Sequence, residues 1–383
     1  MSESKEHSFS QLGLPKELIK SLEDQKLPTP YPIQIQGIPV VLKGQDVLGI
    51  AQTGSGKTIS YVLPILANLQ GNINPKNRFV NVLVLVPTRE LAVQIEKVFQ
   101  RFEHTLSGDI KTRAVFGGVS INPQMKSMSG VNILVATPGR LLDLLDSNAL
   151  HLSEIDTLVL DEADKMLNLG FKEELDRILG LLPKKRQNLL YSATLSEDVN
   201  NIGRNFLHEP TIIKIESKKE NIDLINQTAY SVENEKKGPL LRYLIKKSDG
   251  KQFLVFTSSV RSADVVESKL LKNGIDAMSI HSKKSQGARM DALDRLKRGD
   301  IQVLVATDLL SRGIDIQFLP YVVNYELPRS PKDYIHRIGR TGRAENRGDA
   351  ISFVTKEDRH HFKVIQKKAG TWVDLIESEK MDF

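Results

Sequence analysis

Short apolar runs alternating with amphipathic stretches set the tightest limit on what this chain can fold into. In the first half, "DVLGIAQ" from Asp46, "VNVLVLVPT" from Val80, "VNILVATPG" from Val131, "IDTLVLDEAD" from Ile155 and "NLLYSAT" from Asn188 are near-continuously apolar. Such runs suit strands buried on both faces of a parallel sheet. Between them, "TRELAVQIEKVFQRFEH" sets Leu91, Ile95, Val98 and Phe102 at three- or four-residue spacing, one face of a helix. Alternation of this kind predicts βαβ units: an α/β fold with a mostly parallel sheet flanked by helices.

The rhythm stops after "TIIKI", crosses the polar stretch Glu216–Gln227, and restarts. "KQFLVFTSS" from Lys251, "IDAMSIHS" from Ile275, "IQVLVATD" from Ile301, "PYVVNYELP" from Pro320 and "DAISFVTK" from Asp349 form a second series of predicted strands. A chain of 383 residues exceeds what one core usually serves. The expected plan is a tail over 1–8, a first domain over 9–215, a linker over 216–226, a second domain over 227–370 and a tail over 371–383. "NILVATPGR" and "QVLVATDLL" echo one another across the halves. In sheets of this class, ligands gather at the carboxyl ends of strands.

Composition removes several classes. With 40% hydrophobic and 26% charged residues, the chain reads as folded, not disordered or fibrous. It has no cysteine, which rules out disulfides, thiol catalysis and cysteine-held zinc. A net charge of +6 is compatible with a polyanionic partner without requiring one. "MSESKEHSFS" lacks the apolar core of a signal peptide, and no apolar run reaches bilayer length. A cytoplasmic protein with no membrane partner is expected.

"AQTGSGKT", Ala51–Thr58, lies between a predicted strand and a predicted helix. Gly54 and Gly56 let backbone N–H groups close around phosphate oxygens, Lys57 can reach the β- and γ-phosphates, and the Thr58 hydroxyl can ligate Mg²⁺. The strict pattern has glycine where Ala51 stands. Downstream, "LVLDEADKML" crowds Asp161, Glu162 and Asp164 at the end of an apolar strand. Acids also favour a helix start through its dipole, by about 0.3–1 kcal/mol each. A phosphate-loop enzyme needs one carboxylate for its metal and a group for the attacking water. Asp161 suits the first task and Glu162 the second.

"AQTGSGKT", "DEAD" at Asp161–Asp164, "SAT" at Ser192–Thr194 and "HRIGRTGR" at His336–Arg343 follow in order. With them the chain resembles the DEAD-box ATP-dependent RNA helicases of superfamily 2, from about Phe9 to about Lys356. "KSQGAR" and "YVVNYELP" look most like the bacterial RhlE-type branch. The family's phosphate loop usually begins with alanine, so Ala51 fits it. The resemblance implies two RecA-like domains and a central ATP/RNA cleft. It implies ATP held by Ala51, Gln52, Thr53, Gly54, Ser55, Gly56, Lys57 and Thr58, with Gly313 and Asp315 contributing from the second domain. Phe9, Leu27 and Gln34 would serve the adenine end, where glutamine can pair bidentately with the base. The family usually has glycine and an aromatic residue at the positions of Lys26 and Leu27, and Thr or Ser at Tyr31. Stacking by Leu27 is therefore expected to be weaker.

The same resemblance implies Mg²⁺ held with ATP by Thr58 and Asp161, and catalysis by Glu162 and Lys57. Arg340 and Arg343 would reach across as arginine fingers, stabilising charge on the transferring phosphoryl group. RNA backbone contacts are implied for Pro87, Thr88 and Arg89 of "PTREL", for Gly117 and Gly118, and for Thr137 and Arg140 of "TPGR". In the second half they are implied for Thr257 of "VFTSS", Gln286 and Arg289 of "QGAR", and Thr307 of "ATDLLSRGID". Hydroxyls, glycine backbone and a few arginines suit phosphate and 2′-OH contacts, so binding should be sequence-independent and salt-sensitive. Taken alone, "TPGR" is a turn with Pro138 at a helix start, and "SAT" a helix cap. Asp164, Ser192, Thr194 and His336 would couple nucleotide state to RNA.

The expected function is RNA-dependent ATP hydrolysis coupled to local, non-sequence-specific unwinding of short duplexes or RNP remodelling, by a monomer. RNP or ribosome-assembly proteins are the possible protein partners. An ATP-dependent RNA clamp, or a DNA-directed superfamily 2 motor, are the alternatives. After the last predicted strand the sequence reads as a helix and a short tail, with Trp372 expected as a packing anchor and a partner contact as the alternative.

Overall fold

The computed structural model describes residues 8–27, 29–52, 54–70, 78–106, 108–215, 225–308, 319–342 and 348–378. The chain divides into two compact units, Met1–Ser217 and Lys218–Phe383, each built on a seven-stranded sheet. In the first unit the strands are β1 (Val47–Ile50), β2 (Val82–Leu85), β3 (Thr112–Val115), β4 (Ile133–Ala136), β5 (Thr157–Leu160), β6 (Gln187–Ser192) and β7 (Thr211–Lys214). In the second they are β8 (Ile225–Ser231), β9 (Phe253–Thr257), β10 (Ala277–Ile280), β11 (Val303–Thr307), β12 (Tyr321–Asn324), β13 (Gly348–Val354) and β14 (Leu375–Glu377). The spatial orders are β3-β4-β2-β5-β6-β1-β7 and β10-β11-β9-β12-β13-β8-β14, with every pair parallel.

The continuous apolar runs have the cause expected of them. In β2, Val82 and Val84 join one hydrophobic cluster and Leu83 and Leu85 another, on opposite faces of the sheet. In β9, Phe253 and Val255 face one cluster while Leu254 and Phe256 face a second. Each side chain so buried contributes about 1.5–3 kcal/mol relative to exposure. Helices cover both faces; Lys57–Leu69 and Arg89–Glu103 supply Val62, Leu66, Ile95 and Phe99 to the first core.

The structure departs from the sequence expectation at the sheet margins. β3 and β14 lie at sheet ends and β8 second from an end, and none of the three is a continuous apolar run. β14 falls inside the stretch expected to be a C-terminal tail, pairing in parallel with β8. β8 begins at Ile225, within the stretch expected to be linker. Trp372 is 71% exposed, so it is not a packing anchor. Among the described residues, no helix is long and apolar enough to cross a membrane.

Candidate active site

The motif residues of the first unit collect at the carboxyl ends of adjacent strands. β1 runs into the phosphate loop, β5 into Asp161, and β6 ends at Ser192; β6 lies between the other two. The loop closes on itself: the Ser55 hydroxyl donates to the Gln52 carbonyl at 2.8 Å, and Lys57 Nζ donates to the Ala51 carbonyl at 2.8 Å. Gly56 has φ +88°, and a Cβ there would stand 2.4 Å from Gln34 Nε2. Glycine is thus required by both conformation and space. Gln34 is buried; its Nε2 donates to the Gly56 carbonyl at 3.0 Å and its Oε1 accepts from the Tyr31 N–H at 2.8 Å. It therefore clamps the loop in this structure, and pairing with adenine would exchange these bonds. Phe9 is 3% exposed and belongs to the first core, which leaves it a packing role here. Leu27 packs half-buried against the same core. Thr53, Gly313, Asp315 and Arg343 lie outside the described residues.

Asp161 is buried, and its two carboxylate oxygens differ. The Tyr61 hydroxyl donates to Oδ2 at 2.9 Å, whereas Oδ1 has no hydrogen-bond partner. Thr58 meets the same Tyr61 hydroxyl, so Thr58 and Asp161 converge on one point. Burial raises the Asp161 carboxyl above its ordinary value; Lys57 pulls it down and Glu162 pushes it up. Glu162 occupies the left-handed region at φ 55°, a conformation that costs a non-glycine residue about 1–2 kcal/mol. It stands at the N-cap position of the helix Ala163–Asn168 without a side-chain capping bond. Its Oε1 accepts from Lys165 Nζ at 2.7 Å, while Oε2 is buried without a partner. Lys165 was not singled out from the sequence; its (i, i+3) spacing from Glu162 was the available signal. Asp164 Oδ2 accepts from the Thr194 hydroxyl at 2.9 Å, and the Ser192 hydroxyl donates to the Thr194 carbonyl at 2.8 Å. The two motifs are therefore in direct contact.

Orphaned buried carboxylate oxygens are costly unless a ligand completes them. Those of Asp161 and Glu162 fit a hydrated divalent cation and a bound water beside the phosphate loop. Asp161→Asn should raise the melting temperature of the ligand-free protein while abolishing the extra stabilisation that Mg²⁺ adds to ATP. The sign follows from the raised carboxyl: the cost is present at pH 7, shrinks as pH falls through the raised folded value, and is gone below the ordinary carboxylate value of about 4. Thermal melts at both pH values, with and without Mg²⁺·ATP, measure this; an Asn variant no more stable at pH 7 would refute it.

A second group forms around the loop after β3. The Arg89 guanidinium packs on Gly118, where a Cβ would stand 2.6 Å from Arg89 Nη1 and φ is +81°. Arg140 is 7% exposed and donates through Nη2 to the Val119 carbonyl at 2.7 Å. Gln124, not anticipated, clasps Phe116 by both its amide O and its amide N. Thr88 caps its helix by accepting from the Leu91 N–H at 3.3 Å, Pro87 is buried, and Thr137 and Gly117 lie half-exposed at the same edge. Arg140 thus supports the loop from inside, while Arg89 and the glycines form its surface.

In the second unit, Thr257 and Thr307 end neighbouring strands in register. Both are buried, so the exposed groups of "VFTSS" are Ser258 and Ser259 instead. Arg289 is also buried, and donates to Gln286 Oε1 at 2.5 Å. On the helix Pro331–Ile338, His336 is exposed and Arg340 follows half-exposed. Arg337, between them in the same motif, is the member turned inward. Only 1% exposed, Arg337 grips both Asp308 carboxylate oxygens at 2.6 and 2.7 Å, Asn324 Oδ1 at 3.0 Å and the Glu326 carbonyl at 2.7 Å. Its signal was position: it lies on the buried face of a helix whose other faces carry the motif's exposed members.

A phosphate loop on a parallel sheet, with a carboxylate pair at a nearby strand end, defines the phosphate-loop nucleotide-binding class. Residues 31–202 match the DEAD/DEAH box helicase model, and 235–345 the helicase conserved C-terminal domain. The chain belongs to the DEAD/DEAH box helicase family. It is 42% identical over 364 residues to ATP-dependent RNA helicase DBP2 of Pyricularia oryzae, covering 92% of this chain and 65% of that one. It is 38% identical over 375 residues to ATP-dependent RNA helicase CshA of Listeria monocytogenes, covering 98% and 71%. The chain thus spans about two thirds of these relatives' length. Among solved structures it resembles Saccharomyces cerevisiae Dbp5 bound to RNA and ADP BeF3, with TM-score 0.82, 30% identity and coverage of 97% and 96%. Both sheets match the RecA-like pattern of such DEAD-box structures.

Proposed function

We propose that the protein is an RNA-dependent ATPase that separates short RNA duplexes or remodels RNPs without sequence preference. The observation that carries this is the Asp161–Glu162 pair, buried beside the phosphate loop with one unpartnered oxygen each. Lys57 would leave the Ala51 carbonyl for the β- and γ-phosphates. Thr58 and Asp161 would hold Mg²⁺, which supplies charge neutralisation at the phosphates. Glu162 would take the proton of the attacking water, and Arg340 with Arg343 would stabilise charge on the phosphoryl group. Arg89, Gly117, Gly118 and Thr137, with Ser258, Ser259 and Gln286, would follow an RNA backbone. The Asp164–Thr194 bond, with Ser192 and His336, is suited to relay nucleotide state. "KSQGAR" and "YVVNYELP" support the RhlE-type branch, and a cytoplasmic monomer fits the composition.

ATP hydrolysis measured with RNA and with DNA of one sequence tests the reading. Stimulation by RNA alone, with strand displacement, is expected; equal stimulation by DNA overturns it, and RNA retention without displacement makes the protein a clamp. At the adenine end, Leu27→Phe should tighten ATP binding by about 1 kcal/mol, roughly fivefold, since base–aromatic stacking is of this order. An unchanged or weaker ATP dissociation constant would refute stacking at this position.

A further inference from the structure

We infer that Glu326 is a positioning residue that shapes the exposed Ser258–Ser259 turn for an RNA phosphate, an inference that rests on the RNA-directed function above. Glu326 lies just past β12, whose neighbour β9 ends at Thr257. Its Oε2 accepts from both the N–H and the hydroxyl of Ser258, each at 2.5 Å, and its Oε1 accepts from the Ser262 hydroxyl at 2.7 Å. Both carboxylate oxygens are thus committed to one turn lying 64 to 68 residues away in sequence. From the other side, Ser259 Oγ accepts from the Ser262 N–H at 3.0 Å and caps the helix Val260–Lys272. The turn is held at both ends: Ser258 spends its N–H and hydroxyl on Glu326, and the exposed Ser259 hydroxyl is the donor left to meet a phosphate.

Electrostatics argues that this arrangement serves something beyond packing. A carboxylate beside a phosphate track opposes the ligand, so a neutral hydrogen-bonding residue would be the simpler choice. Here Lys237, which is 4% exposed, offsets the charge in small part. Burial raises the Glu326 carboxyl, but the Ser258 and Ser262 bonds and Lys237 together hold it below its ordinary value, so it is an anion at neutral pH. Charge-assisted bonds of this kind fix geometry more firmly than neutral ones. The Glu326 carbonyl also receives Arg337, whose other bonds reach Asp308 beside Thr307. One residue therefore sets the turn relative to the second strand end of the proposed track and to the helix that precedes Arg340.

The test compares the full chain with its Glu326→Gln and Ser262→Ala variants. The readouts are the RNA concentration for half-maximal ATPase stimulation, the ATP dissociation constant without RNA, and the melting temperature. Glu326→Gln should raise the RNA half-saturation about tenfold, as losing a bond to a charged group predicts. The ATP constant should stay within about twofold. Ser262→Ala, a milder change, should move RNA half-saturation the same way by a smaller factor, and the double variant should show less than the sum. An unchanged half-saturation in both variants overturns the inference. A lowered one does too, because the carboxylate would then be a competitor of phosphate. A wild-type chain that ignores RNA overturns the function itself, whereas a responsive wild type with an indifferent Glu326→Gln overturns only this step.

Discussion

Glu162→Gln should yield a protein that still binds ATP and RNA but hydrolyses ATP about 10²–10⁴-fold more slowly, the range for loss of a general base. Glutamine keeps the size of the side chain and can still accept from Lys165, which holds Oε1 at 2.7 Å. What it loses is the basic oxygen, buried in the wild type with no partner. The backbone at this position is left-handed at φ 55°, which glutamate and glutamine tolerate about equally badly, so the fold should not distinguish them. Single-turnover hydrolysis with saturating RNA, alongside nucleotide titration, measures both halves of the claim. Wild-type turnover in this variant would remove Glu162 from the chemistry.

Asp308→Ala should destabilise the second unit by about 3 kcal/mol, the lower end of what breaking a buried ion pair costs. The lower end applies because Asp308 is 30% exposed and Arg337 keeps Asn324 and the Glu326 carbonyl. What is lost is the bidentate half of the site, leaving a guanidinium 1% exposed over the Phe256 ring with too few acceptors. For a unit of this size the melting midpoint should fall by about 6–12 °C. Thermal denaturation followed by near-ultraviolet dichroism reports it, and an unshifted midpoint would mean that the remaining acceptors suffice.

The central strands of both sheets were legible because burial on two faces writes an unbroken apolar run, as in β2 and β9. Most marginal strands were not; β10, an edge strand with three of its four residues buried, was the exception. β3, β7 and β14 are half-exposed at sheet edges, so their side chains carry too little burial to stand out from loops. The reactive residues were readable as types at fixed spacing, since a phosphate loop and an acid pair are short-range patterns. What the sequence hid was which members face inward. Arg140, Thr257 and Arg289 read as surface ligands, yet all are buried. Arg337 and Glu326 carry no distinguishing spacing, yet they tie together segments far apart in sequence. Those facts depend on helix phase and on contacts across the sheet, which no local pattern encodes.

Each unit closes its own hydrophobic clusters; none of the five draws residues from both. Damage at the phosphate loop should therefore spare the core of the second unit, and under the proposed function an allele such as Glu162→Gln should give a chain that occupies RNA without releasing it through turnover. In genetic terms such alleles should act dominantly over a wild-type copy, and alleles that unfold one unit should be recessive.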